Sequence, residues 1–283
     1  MGIESFIPEI WSGNLQTRLH NNLVFGGVCN RDYEGDVVDG DRVRINKLNS
    51  MSATAYTPNS STITAAQLDG APIFLDINRR YQVSFYVEDL DKKQARGDVV
   101  GQATREMAYT LANEMDAYVA SLYGQPLIVY GLGTAGTPID VTSLNVTEYI
   151  GLISQKMDEA NVPMETRFIV LPPWLFHKIE LADITLNTDN SMTMSAGFRG
   201  SFLGLNLFVS NNVSEATALT HAGARCIFGY SGSFTLAQQL STVEAFRSTT
   251  AFRDEVRALN VYGAKCIDPG ASGVFRADYT AEP

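Results

Sequence analysis

The chain has 283 residues, 45% of them hydrophobic and 18% charged, enough to bury a sizeable core in one elaborated domain or two small ones. Its formal net charge is −10, from 31 acidic against 21 basic residues, so the chain as a whole repels nucleic acid and direct reading of a DNA sequence is not expected of it. Glu4 and Glu9 stand where a signal peptide carries basic residues, and no apolar run is long enough to cross a bilayer, so neither secretion nor membrane insertion is expected.

From Pro8, well placed as a first helical residue, Trp11, Leu15, Leu19 and Leu23 recur every four positions and make one stripe on a short amphipathic helix, which something must cover. The acidic and glycine-bearing run Arg31 to Gly40 reads as a turn. After Asp41, Val43 and Ile45 alternate with Arg42 and Arg44 as a strand. Residues Asn49 to Thr64 are rich in Ser, Thr and Asn, and Pro72 to Val87 returns as extended, β-branched and aromatic sequence. This predicts a long hairpin with a polar tip. An isolated two-stranded ribbon is marginal in water, so the hairpin is expected to lie on another subunit.

Val100, Ala103, Met107, Leu111, Met115, Tyr118 and Leu122 then repeat at spacings of three and four and predict the longest helix of the chain. From Asp98 to Leu122 it would be ~36 Å long, ended by Gly124 and Pro126. A short strand, Leu127 to Tyr130, leads through a Gly/Thr loop to a helix over Thr147 to Ala160 with Ile150, Ile153 and Met157 on one side. Phe168 to Leu171 reads as a buried strand, after which Pro172 and Pro173 open a short helix. Leu186 to Gly200 reads as a Ser/Met/Gly loop, followed by a strand from Gly204. From Cys226 the chain is mostly extended: CIFGY, then Thr235 to Glu244, then ALNVYGAKCIDP. There is no internal repeat, and the order of elements is α+β.

Chemistry is sparse. Gly131 to Gly136 spells GxGxxG after the strand-like LIVY, a pattern that in a dinucleotide-binding unit brings a pyrophosphate to a helix N-terminus. Here Pro138 and an extended stretch follow, the next helix starts about ten residues late, and the match reads as a flexible Gly/Thr loop with no cofactor. His20, His177 and His221 are the only histidines, and no GxSxG elbow accompanies them, so no catalytic residue is assigned. The acidic group Asp32, Glu34, Asp36, Asp39 and Asp41 lacks the spacing of a calcium loop and reads as a solvated turn, with no metal assigned. Glu88, Asp89 and Asp91 read as acidic residues near a helix start, favoured by its dipole. Cys29, Cys226 and Cys266 are far apart, form no CxxC pair and are odd in number, which fits buried thiols in a reducing compartment.

Five segments together carry a resemblance: FIPEIWSGNLQTRL, NRDYEGDVVDGDRVRI, YVEDLDKKQARGDV, ANEMDAYVASLYG and VYGAKCIDP, in that order and spacing. They resemble the major capsid proteins of tailed bacteriophages, in particular the podovirus coat-like branch, over nearly the whole chain. The resemblance implies an α+β capsid fold. Its parts would be an N-terminal arm over 1–30, an extended hairpin loop over 31–94, a peripheral domain with a spine helix over 95–126 and 226–283, and an axial domain over 127–225. In it, VYGAKCIDP would be the closing strand, and the inserted β domain of some relatives has no counterpart here. It implies no enzyme activity and no cofactor. It further implies self-assembly as pentamers and hexamers with scaffolding, portal and decoration proteins as partners, double-stranded DNA enclosed without sequence-specific binding, assembly in the host cytoplasm and a place in the virion. Trp11, Leu15, Leu19, Tyr56, Arg79 and Arg80 are the residues assigned to contacts between subunits. Two other readings stay open: a compartment shell of the encapsulin kind, and a dinucleotide-binding enzyme using the Gly131 loop.

Overall fold

The structure is a computed structural model and describes residues 24–37, 41–47, 53, 55, 70, 72–88, 99–128, 131–182, 198–216 and 222–280. In chain order the elements are a short helix α1 (Phe25–Val28), strands β1 (Arg42–Asn46), β2 (Pro72–Asp76) and β3 (Arg79–Glu88), and the long helix α2 (Val99–Ala120). Then follow β4 (Ile139–Val141), α3 (Val146–Glu159), β5 (Arg167–Leu171), α4 (Pro173–Leu181), β6 (Phe198–Phe202) and β7 (Leu205–Val209). The last four strands are β8 (Ala224–Tyr230), β9 (Phe234–Arg247), β10 (Arg253–Cys266) and β11 (Gly273–Tyr279).

Helix α2 runs for 22 residues, ~33 Å at the usual rise, and a 3-10 turn over Ser121–Gly124 ends it. Met107, Leu111, Met115 and Val119 lie on one buried stripe, beside Ala108, Ala112 and Ala120, whose small side chains let neighbouring elements approach. The stripe packs on β3 and β10 of a three-stranded antiparallel sheet ordered β3-β10-β9. Tyr81, Val83 and Phe85 of β3 face this core, and the intervening residues of β3 are exposed, so the sheet is covered on one face only. Tyr262 of β10 is completely buried between the rings of Tyr81 (centroids 6.0 Å apart) and Tyr118 (5.7 Å).

A six-stranded mixed sheet, ordered β4-β11-β8-β5-β7-β6, forms the second layer. All five residues of β5 are buried, as befits a strand paired with β7 in parallel and β8 in antiparallel register. Tyr149 of α3 stacks on Phe275 of β11, and Trp174 and Lys178 of α4 lie against Tyr279, so both helices cover the sheet face to which Phe275 and Tyr279 point. One apolar cluster runs continuously from this sheet to α2 and β10.

The predicted hairpin is built differently from its sequence pattern. β1 and β2 pair from Arg42 opposite Asp76 to Asn46 opposite Pro72, but the extended stretch does not continue as one strand. It breaks at Ile77 and Asn78, and β3 joins β10 over ten residues, from Tyr262 opposite Arg79 to Arg253 opposite Glu88. Glu88 therefore ends a strand opposite an arginine, whereas its sequence neighbourhood points to a helix start. The ribbon root is held on the same chain by a second, smaller core of Ile45, Leu75, Ile77, Ala237 and Val261. Two further expectations change. β11 follows VYGAKCIDP and is inserted between β4 and β8, where Val274, Phe275 and Ala277 are buried. β8 and β11 thus belong to the sheet of β5 and β7, which moves 226–230 and 273–279 out of the segment that returns to the long helix. Phe198 to Gly200, read as loop, begin β6.

Candidate assembly surfaces

Of the residues assigned to subunit contacts, Trp11, Leu15, Leu19 and Tyr56 lie outside the described residues. Arg79 and Arg80 are adjacent but have different surroundings. The Arg79 guanidinium sits 4.5 Å above the ring of Tyr118 and ties β3 to α2 within one chain. Arg80 is exposed at the wall of a cleft of about 660 Å³ that Asp41, Arg42, Asp76, Ile77 and Asn78 complete. Arg42 forms an ion pair with Asp76 at that wall and lies 5.1 Å above the ring of Phe74. Lys265 donates to the Phe74 carbonyl (2.8 Å), and Lys47 meets Asp268 (3.0 Å), so the ribbon leaves the body through a band of charged contacts over an apolar root.

The uncovered face of the three-stranded sheet mixes aromatic and charged groups. Arg253 lies 4.5 Å over Tyr86, Arg257 4.2 Å over Phe246, and Arg253 is paired with Glu255. Among the described residues, the most exposed of the large apolar side chains stand at loop ends: Phe252 (83% exposed) between β9 and β10, Leu144 (82%) before α3 and Met164 (74%) between α3 and β5. Arginine-stacked aromatics and single apolar anchors at projecting turns suit contacts that exclude water locally without a large apolar patch.

Sequence reasoning missed Asp116. It is 2% exposed on α2 and accepts hydrogen bonds from the backbone N–H groups of Val24 (3.0 Å) and Phe25 (2.8 Å) and from Asn212 Nδ2 (2.9 Å). One carboxylate thus joins the end of the N-terminal segment, the long helix and the loop after β7. The available signal was an acid beside Met115 on an otherwise apolar stripe.

Packing accounts for the first two glycines of the Gly131–Gly136 pattern. Gly131 and Gly133 adopt φ of 77° and 83°, and a Cβ at 133 would lie 2.6 Å from the carbonyl oxygen of Arg276. Leu132 between them is buried, and its carbonyl accepts the amide of Arg276 (2.8 Å), so these glycines seat a loop against β11. His177 is exposed with Glu180 3.6 Å away, while His20 and His221 lie outside the described residues. Arg31 pairs with Glu34 in the acidic turn. Cys29, Cys226 and Cys266 are free and buried, and burial pushes the Cys29 thiol up to about 12, which leaves it protonated and unreactive. Among the described residues no group of His, Cys, Asp and Glu is arranged to hold a metal ion, and no helix is long and apolar enough to cross a membrane.

Comparison with known proteins fits this arrangement. The sequence matches the profile of the family described as phage capsid protein over residues 79–274, from the start of β3 into β11. A structure from Mycobacterium phage Che8 superposes with a TM-score of 0.72 at 25% identity, covering 89% of this chain and 90% of the other. The capsid of Ralstonia phage GP4 gives 0.67 at 13% identity over 90% of this chain and 88% of the other. The capsid of cyanophage P-SCSP1u gives 0.65 at 14% identity over 86% and 85%. A search of curated protein sequences finds no match. With two thirds of its sequence in one family profile and its overall fold shared with phage capsid structures, the chain belongs to the phage capsid protein family: it is a tailed-phage major capsid protein, and its copies associate into the shell of the head.

Proposed function

We propose that the chain closes its shell as pentamers and hexamers through contacts in which one patch meets a different patch of the neighbour, the geometry that forms rings. The six-stranded sheet with α3 and α4 faces the capsomer axis, and α2 with the β3-β10-β9 sheet lies toward the periphery. The segment 1–30, carrying Trp11, Leu15 and Leu19, and the β1–β2 ribbon, with Tyr56 beyond its described strands and Arg80 at its root, reach across adjacent subunits. Arg79 ties β3 to α2 within its own chain. Scaffolding, portal and decoration proteins act as partners, assembly takes place in the bacterial cytoplasm, and the shell encloses double-stranded DNA without reading its sequence. The net charge of −10 supports a container that does not bind its contents tightly.

The observation that carries this reading is the ribbon root. Ile45, Leu75 and Ile77 are buried against Ala237 and Val261, so the ribbon is aimed by its own subunit while Arg80 remains exposed beside it. Electron microscopy of the full chain, expressed with and without the genes that neighbour it, tests the proposal. Uniform closed shells with pentameric and hexameric units are expected. A discrete small oligomer under both conditions would overturn it.

A further inference from the structure

On the face of the six-stranded sheet opposite α3 and α4, Arg225 of β8 stands directly across from Arg276 of β11. Side chains opposite each other on antiparallel strands have Cβ atoms about 4.5–5.5 Å apart, and like charges so placed repel. In a chain with more acidic than basic residues, 31 against 21, such a pair would be expected to recruit a carboxylate. Among the described residues none pairs with either guanidinium. Asp278, two positions along on the same face, directs a carboxylate oxygen to the Gly223 amide. Arg225 is held in place: it donates to the Ser214 hydroxyl (2.9 Å) and lies 4.3 Å above the ring of Tyr123, just past the C-terminus of α2. The negative end of that helix accounts for a cation at 225. It does not account for a second one at 276, whose Nε is buried with no acceptor among the described residues.

We propose that Arg225 and Arg276 form a binding site for a phosphate group. Two guanidinium groups carried on directly opposed residues offer double positive charge and several N–H donors, which suits a tetrahedral oxyanion. A single carboxylate would satisfy one fork and leave the other unmatched. Tyr123 and Ser214 keep Arg225 oriented before the ligand arrives.

Isothermal titration of the full chain as a free subunit with inorganic phosphate, and in parallel with acetate, at constant ionic strength tests this. Saturable phosphate binding at one site per chain is expected, with little response to acetate. Arg276→Gln and Arg225→Gln should each weaken phosphate binding roughly tenfold or more. Arg276→Lys, which keeps the charge and loses the fork, should fall between; it also keeps the test decisive if either glutamine variant unfolds. A second arm uses a short DNA duplex. Competition between duplex and phosphate would assign the phosphate to a nucleic-acid backbone, and phosphate binding without duplex binding would assign it to a small phosphorylated solute. Absence of saturable binding, equal responses to phosphate and acetate, or unchanged isotherms in folded variants would overturn the proposal.

Discussion

Burial pushes the carboxyl of Asp116 above the ordinary carboxylate range, and the bonds from Asn212 and from the amides of Phe25 and Val24 draw it partly back. The folded chain therefore holds this proton more tightly than the unfolded chain. The stability it contributes is complete below the ordinary carboxylate value, about 4, and is lost as pH rises through the higher folded value. An amide in place of the carboxyl carries no such titration. In urea unfolding at a series of pH values, the stability of the natural chain minus that of Asp116→Asn should fall as pH rises from about 4. A flat difference would show that Asp116 titrates normally in the fold. Asp116→Ala strands the amides of Val24 and Phe25, the second of them buried, and should cost about 1–3 kcal/mol in the same measurement. The neighbouring arginines separate in another way. Arg79→Ala removes the contact with Tyr118 and should cost about 0.5–1 kcal/mol. Arg80→Ala should stay within about 0.5 kcal/mol in the free subunit and show its effect in the yield of shells. Neither distinction was legible in the sequence, where the two arginines are adjacent and alike, because their surroundings come from residues about forty and about 180 positions away, Tyr118 and Val261.

Elements with their own periodicity were legible. The spacing from Val100 to Leu122 foretold α2, Ile150, Ile153 and Met157 foretold α3, and the wholly apolar run at 168–171 foretold β5. What local pattern does not encode is partner choice. Pro72 to Val87 alternates like one strand, yet its two halves pair with different partners, and the break at Ile77 and Asn78 is imposed by the crossing over β10. Gly263 makes that crossing possible. A Cβ there would lie 2.3 Å from the Asp76 carbonyl oxygen and 3.0 Å from Ile77 Cα. Gly263→Ala should lower stability by about 1–3 kcal/mol. Hydrogen exchange should localise the damage, with amides of β1 and β2 exchanging faster while those of β5 and β8 stay protected. Loss of protection spread evenly over both sheets would show that the crossing is not a separate element.

At the scale of the molecule, the fold class and the family were readable from five short segments, while the division of strands between the two sheets was not. β8 and β11 look like continuations of the chain around them, and only their hydrogen-bonded neighbours, β5 and β4, place them in the other layer. The amphipathic stripe near the N-terminus belongs to this scale too, since its proposed work is between subunits. A chain with Trp11→Ser, Leu15→Ser and Leu19→Ser should keep its helix and strand content by circular dichroism and fail to close shells. Unfolding of the free subunit would instead make the stripe part of its own core.

The position of β11 has a consequence for biosynthesis. Residues 273–279 fill the gap between β4 and β8, so the sheet has no continuous middle until the ribosome has delivered nearly everything else in it. A nascent or prematurely terminated chain exposes two unfilled strand edges, a state prone to aggregation and open to proteolysis. A copy that stops before residue 273 should therefore be absent from purified shells, which mass spectrometry of their subunits would check.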